Sequence, residues 1–194
     1  MEIAENAALV VVDVQKGFEE AGFWGPRNNP GADENVAALI DVWQATGRPV
    51  VFVRHDSVQP DSPLRVGQAG NGFKEYVEAR RGKGTGGELL VTKSVNSAFY
   101  GTPDLGAWLT AAGIGQLVLV GIQTNMCVET TARMGGNLGY DVVVALDATH
   151  TFDLVGPFGW RRTAEELAQA TAVSLHGGGF ARVVTTQDVV TAAK

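Results

Sequence analysis

The chain has 194 residues, of which 45% are hydrophobic and 19% charged, with a net charge of -6. That length suits one α/β domain with a full-sized core and is short for two, and the balance excludes a disordered chain. An acidic chain without a long basic run excludes a polyanion-binding surface, and with it nucleic acid as a partner.

Short apolar runs alternate with amphipathic stretches, which predicts βα units around a mostly parallel, buried sheet. Ala7 to Val12 is the first continuous apolar run and ends at Asp13. Asp33 to Ala45 reads as a helix, because Val36, Leu39, Ile40 and Trp43 fall at i, i+3, i+4 and i+7. Gly47 stops it, and Pro49 to Val53 begins the second strand. From Arg54 to Gly87 the chain is irregular, with one short helix expected over Phe73 to Ala79; a loop this long serves a site or an oligomer contact. Glu88 to Thr92 is the third strand, ending at Lys93. Thr102-Pro103-Asp104 predicts a helix start with a capping hydroxyl and a proline at the first helical position. Gly113 closes that helix, and Leu117 to Val120 is the fourth strand. The next helix runs from about Asn125 to Leu138, and its Gly135-Gly136 pair predicts close packing. Val142 to Leu146 is the fifth strand, Thr163 opens a helix to about His176 with capping-box spacing, Phe180 to Val184 is the sixth strand, and Thr185 starts a final helix. The expected architecture is a three-layer, doubly wound α/β domain spanning residues 1–194, with a mostly parallel sheet of about six strands and helices on both faces.

Three reactive side chains fall at equivalent points of this plan. Asp13 follows strand one, Lys93 strand three and Cys127 strand four. In a right-handed doubly wound sheet these positions share the carboxyl edge, where such folds bind ligands. Taken singly, Asp13 reads as a cap or turn residue, Lys93 as a solvated lysine and Cys127 as a small buried hydrophobe. Taken together they form a nucleophile set without histidine. A thiol in the first turn of a helix, beside an ammonium, is expected to have its pKa lowered, with Asp13 accepting its proton.

Three segments carry a resemblance to the isochorismatase-like cysteine hydrolase superfamily: Ala8 to Phe18, Thr92 to Phe99, and Val120 to Val128. They resemble the family's motifs in order and spacing over nearly the whole chain. The resemblance implies that Asp13 is general base and acid, Lys93 the cation between acid and thiol, and Cys127 the nucleophile. It also implies a non-proline cis peptide between Ile122 and Gln123, so that the amides of Gln123 and Cys127 form an oxyanion hole. Isochorismatases proper, which act on a vinyl ether, lack the nucleophilic cysteine, so Cys127 points to the amidohydrolase branch and a C–N bond. The metal site of nicotinamidases has no counterpart in Val53-Arg54-His55-Asp56-Ser57, which lacks a second histidine. No metal and no cofactor are expected.

For a small-molecule substrate, Phe18, Trp24, Asn96, Phe99, Thr124 and His150 are the expected binding residues, within a wider group of loop aromatics that includes Phe23, Phe73, Tyr100, Phe152, Phe158 and Trp160. Trp43 and Trp108 are expected in the core from their helical spacing. Two other readings stand beside hydrolysis of a C–N bond: a non-catalytic binding or redox-sensing module on the same fold, and a hydrolase of an ester or vinyl ether. The N-terminus lacks a signal-peptide pattern, no apolar run reaches the roughly 18 residues of a membrane span, and the lone cysteine forms no internal disulfide. A cytoplasmic protein without a membrane partner is expected, and the resemblance implies a homodimer or homotetramer.

Overall fold

A computed structural model describes all 194 residues. In chain order the elements are β1 (Ala8–Val12), α1 (Ala21–Trp24), α2 (Ala32–Ala45), β2 (Val50–His55), α3 (Glu75–Glu78), β3 (Glu88–Lys93), α4 (Leu105–Ala111), β4 (Gln116–Ile122), α5 (Glu129–Asn137), β5 (Asp141–His150), β6 (Leu154–Val155), β7 (Arg161–Arg162), α6 (Ala164–Gly177), β8 (Arg182–Val184) and α7 (Thr186–Ala193). Six strands form one parallel sheet in the order β3-β2-β1-β4-β5-β8, and β6 and β7 form a small antiparallel hairpin.

The continuous apolar runs of the sequence are explained by burial on two faces. Along β1, Leu9 and Val11 enter one core with Val36, Leu39, Ile40 and Trp43 of α2 and Val189 of α7. Ala8, Val10 and Val12 enter the other, with Leu105 and Leu109 of α4, Ala132 of α5 and Leu175 of α6. Successive side chains of a strand point to opposite faces, so a strand covered on both sides has no polar positions to alternate with. Trp43 is fully buried and its indole N–H donates to the Ala7 carbonyl at 2.8 Å. Trp108 is only partly buried, at the margin of the second core.

Local chemistry sets several boundaries. Both capping boxes form at the start of α6 and α7, from Thr163 with Glu166 and from Thr185 with Asp188. At α4 the cap is Asp104, which accepts from the Ala107 amide at 2.9 Å; Thr102 is instead held in extended pairing with Thr92, and Pro103 precedes the cap. The close packing expected at the glycine pair is present: a Cβ on Gly136 would lie 2.6 Å from the Phe180 carbonyl oxygen. Gly121 is more constrained still. Its φ is 115°, and a Cβ there would collide with the Val12 carbonyl oxygen, so β4 can pass this close to the end of β1 only with glycine.

Candidate active site

Asp13, Lys93 and Cys127 meet at the carboxyl edge of the sheet. Asp13 follows β1 with a φ of 52°, and its amide donates to the Val53 carbonyl at 2.9 Å. Lys93 ends β3, the edge strand, and has to cross β2 to reach the centre. Its long stem does so alongside His55, its register partner on β2. The Lys93 ammonium donates to Asp13 Oδ2 at 2.6 Å and lies 3.1 Å from His55 Nδ1. Both side chains of the Asp13–Lys93 pair are completely buried. Asp13 Oδ1 has no hydrogen-bond partner in the protein. The Cys127 sulfur, one carboxylate oxygen of Asp13 and a ring nitrogen of His55 all lie within 4.8 Å of one another.

Cys127 sits in a π-helical turn, Thr124–Val128, between β4 and α5. There the Gln123 carbonyl accepts from both Met126 N at 3.1 Å and Val128 N at 3.2 Å, which widens the turn and lifts the thiol toward the sheet edge. The Ile122–Gln123 peptide is cis, and the Gln123 amide donates to no group in the protein. Asn96 Oδ1 lies 3.7 Å from the sulfur.

The electrostatics correct one expectation. Burial pushes the Cys127 thiol upward, the Asp13 carboxylate pushes the same way, and the opposing pull of Lys93 is smaller. The resting thiol is therefore protonated, because a desolvated anion beside a carboxylate is unfavourable despite the helix terminus. Burial alone would lower the Lys93 ammonium, but the Asp13 carboxylate and Cys127 outweigh it and hold it above its ordinary value. Burial and then the Lys93 charge lower His55, so the ring is neutral at pH 7 and its Nδ1 can accept from Lys93.

A cavity of about 220 Å³ opens over these groups, lined on one side by Phe18, Phe23 and Trp24. Asn96, Gln123 and Met126 close it near the thiol, and Ser57, Gln59, Ser62 and Leu64 form the wall from the long segment after β2. That segment is thus a pocket wall. It is tied down by Asn71, whose side-chain amide donates to the carbonyl of Leu64 at 2.8 Å and to Asp56 Oδ1 at 3.0 Å. Of the expected binding residues, Phe18, Trp24 and Asn96 line the cavity and three do not. Phe99 is rotated away by the turn that Ser97 caps, and it stacks on Tyr140 with centroids 5.7 Å apart. Thr124 is fully buried, with its hydroxyl 2.8 Å from that of Thr149. His150 does not follow the fifth strand but belongs to it, since β5 continues past Leu146 to pair Thr149 with Gly121 and His150 with Ile122. Among the wider group, Phe73 is a core residue against Phe52, and Tyr100, Phe158 and Trp160 are exposed. His55, considered from sequence only as a metal ligand, is the main site residue the sequence left without a role; its place opposite Lys93 depends on strand register.

His150 is 1% exposed, packs edge-on against Phe152, and neither ring nitrogen has a partner. Burial, with Arg27 and Lys74, lowers its pKa to about 3. The unfolded chain takes up this proton below about pH 6.5 and the folded chain does not, so stability falls as pH drops from there toward 3. His150→Leu is expected to remove about 1.4 kcal/mol per pH unit from the acid loss of stability between pH 6 and 4, measured by urea unfolding. An unchanged acid slope would show that His150 does not carry it.

Asp13, His55 and Cys127 offer three donors that could converge on a soft divalent ion. Lys93 already donates to Asp13 and faces the His55 nitrogen, and its positive charge opposes a cation there, so the set fits an ammonium better than a metal.

A family model described as the Isochorismatase domain matches residues 7–188. Among curated proteins, the chain is 36% identical over 186 residues to the isochorismatase family protein YrdC of Bacillus subtilis, covering 96% of this chain and 95% of YrdC. It is 33% identical to Nicotinamidase 3 of Arabidopsis thaliana, covering 92% of this chain and 84% of that protein. Among solved structures, one assigned to the isochorismatase family, from Chromobacterium violaceum, superposes with a TM-score of 0.90 at 39% identity, covering 100% of this chain and 96% of that one.

Proposed function

The chain belongs to the isochorismatase family of hydrolases, and from that premise we propose that it hydrolyses the C–N bond of a small amide through a thioester on Cys127. The observation that carries the reading is the fully buried Asp13–Lys93 pair beside the single cysteine, with Asp13 Oδ1 left unpartnered. Similarity to a nicotinamidase supports amide chemistry broadly.

In the proposed cycle the Cys127 thiol passes its proton to Asp13 as sulfur attacks the carbonyl carbon. The carbonyl π pair moves to oxygen, which accepts from the amides of Gln123 and Cys127; such donors contribute several kcal/mol in the transition state, about 3 or more each. Collapse breaks the C–N bond while Asp13 returns the proton to the departing nitrogen. Water then gives a proton to Asp13 and adds to the thioester. The C–S bond breaks, the sulfur recovers its proton and the acid leaves. The sum is amide plus water giving acid plus amine or ammonia. Lys93 holds Asp13 in line and offsets the negative charge that alternates between carboxylate and sulfur. A raised thiol pKa suits this cycle, because proton transfer and attack occur together and no free thiolate has to be maintained.

The test is an acid quench of the enzyme turning over a panel of primary amides, carbamoyl compounds and lactams, followed by intact-mass measurement. An adduct equal to the acyl group is expected on the chain, with ammonia or amine release that Asp13→Asn lowers by roughly 10³-fold. Amide turnover that proceeds without an adduct, and undiminished in Asp13→Asn, would refute the thioester route.

A further inference from the structure

Resting on that reading of Cys127, we infer that the substrate is an uncharged amide with a small, flat or apolar body, and that the chamber turns away amides bearing a carboxylate. Three observations carry this. The cavity of about 220 Å³ lies below the roughly 300 Å³ at which typical ligand pockets begin, so the body is small. Its wall is aromatic: Phe18 and Trp24 pack with centroids 4.8 Å apart, and the indole N–H donates to the Gly17 carbonyl at 2.8 Å, which fixes the ring and spends its only donor on the protein. A planar or apolar group has the shape and polarity to lie against that wall.

The charge inventory decides the rest. No arginine or lysine lines the chamber; its ionisable lining groups are Asp13, His55 and Cys127. His55 is neutral at pH 7, lowered by burial and by Lys93. The Lys93 ammonium is fully buried behind the chamber and paired with Asp13 at 2.6 Å, so the pair presents no net positive charge to a ligand. Cations do exist on the far side of the aromatic wall. Arg27 and Lys74 line a separate cavity of about 450 Å³ bounded by Phe18 and Phe152, and both are tied to Asp33, at 3.3 and 2.9 Å. A carboxylate in the reaction chamber would therefore be desolvated beside Asp13 with no cation to pair with. The polar side of the chamber, Ser57, Gln59 and Ser62, offers neutral hydrogen-bonding groups, which suit an amide or a ring heteroatom.

Two alkylating reagents that differ in this one respect test it without knowledge of the natural substrate. Cys127 is the only cysteine, so its carbamidomethylation by iodoacetamide and carboxymethylation by iodoacetate are read unambiguously by intact mass. Rates are taken in about 0.3 M salt, which screens the net negative charge of the molecule, and each is divided by the rate on a free small thiol. The neutral reagent is expected to be favoured by at least about tenfold after this correction. In Gln59→Arg, which places a cation at the exposed rim of the chamber, the preference is expected to fall to about threefold or less. Equal corrected rates, or faster reaction with iodoacetate, would overturn the inference. A protein whose alkylated Cys127 still turned over an amide would instead overturn the nucleophile assignment, whatever the ratio of the two rates.

Discussion

Cys127→Ala is expected to remove turnover by about 10⁴ to 10⁶-fold while leaving the fold intact. The loss is large because the nucleophile has no substitute: Cys127 is the only thiol in the chain, and no hydroxyl lies within hydrogen-bonding distance of Asp13 or Lys93. The structural cost is small because the substitution removes a single sulfur atom, whose hydrogen bond to Asn96 is long, at 3.7 Å. The paired measurements are steady-state hydrolysis of the best amide from the panel and thermal unfolding of the variant. Retained activity in a protein of unchanged melting temperature would remove Cys127 from the chemistry.

Lys93→Met is the variant expected to fail on both counts. It keeps the length of the side chain and deletes the charge, leaving Asp13 buried with an unpaired carboxylate. Breaking a buried ion pair by removing one partner costs about 3–5 kcal/mol, since the remaining charge keeps its desolvation penalty. For a chain of this size that corresponds to a melting temperature lower by roughly 10 °C. Activity is expected to fall by about 10³-fold or more, because Asp13 loses the donor that orients it and the developing thiolate loses its cation. The double variant Asp13→Asn with Lys93→Met discriminates cause from accident. Removing both charges is expected to recover a large part of the lost stability and none of the lost activity. If the double variant were no more stable than Lys93→Met, the penalty would not come from the stranded carboxylate.

The central fold was legible because its signal is strong and repeated. Leu9, Val10 and Val11 leave no polar face to β1, and that pattern is understood only if both sides of the strand are covered. The meeting of Asp13, Lys93 and Cys127 was legible for a related reason: each ends a strand or follows one, and parallel strands bring those ends to one edge. What was not legible depends on tertiary geometry. The continuation of β5 to His150 is set by pairing across a bulge near Leu119 and Gly121, which no local pattern encodes. Phe99 is turned away from the chamber at the turn that Ser97 caps and packs against Tyr140 and the second core, although it lies only three residues from Asn96 in the chamber. The wall from Ser57 to Leu64 has no periodicity to read, and its position comes from hydrogen bonds to Asn71. The direction of the thiol pKa is not legible either, because helix position can be seen in sequence, whereas the burial that outweighs it cannot.

The pairing of β1 with β4, where Val12 lies beside Gly121, joins the first tenth of the chain to its middle. Contacts so distant along the backbone form slowly, because a long loop has to close before they contribute any free energy. The carboxylate and the sulfur lie on either side of that seam. During synthesis or refolding, then, amino-terminal intermediates containing only β1 to β3 carry the acid and the lysine without a nucleophile, and the chemistry appears only when β4 has taken its place in the sheet.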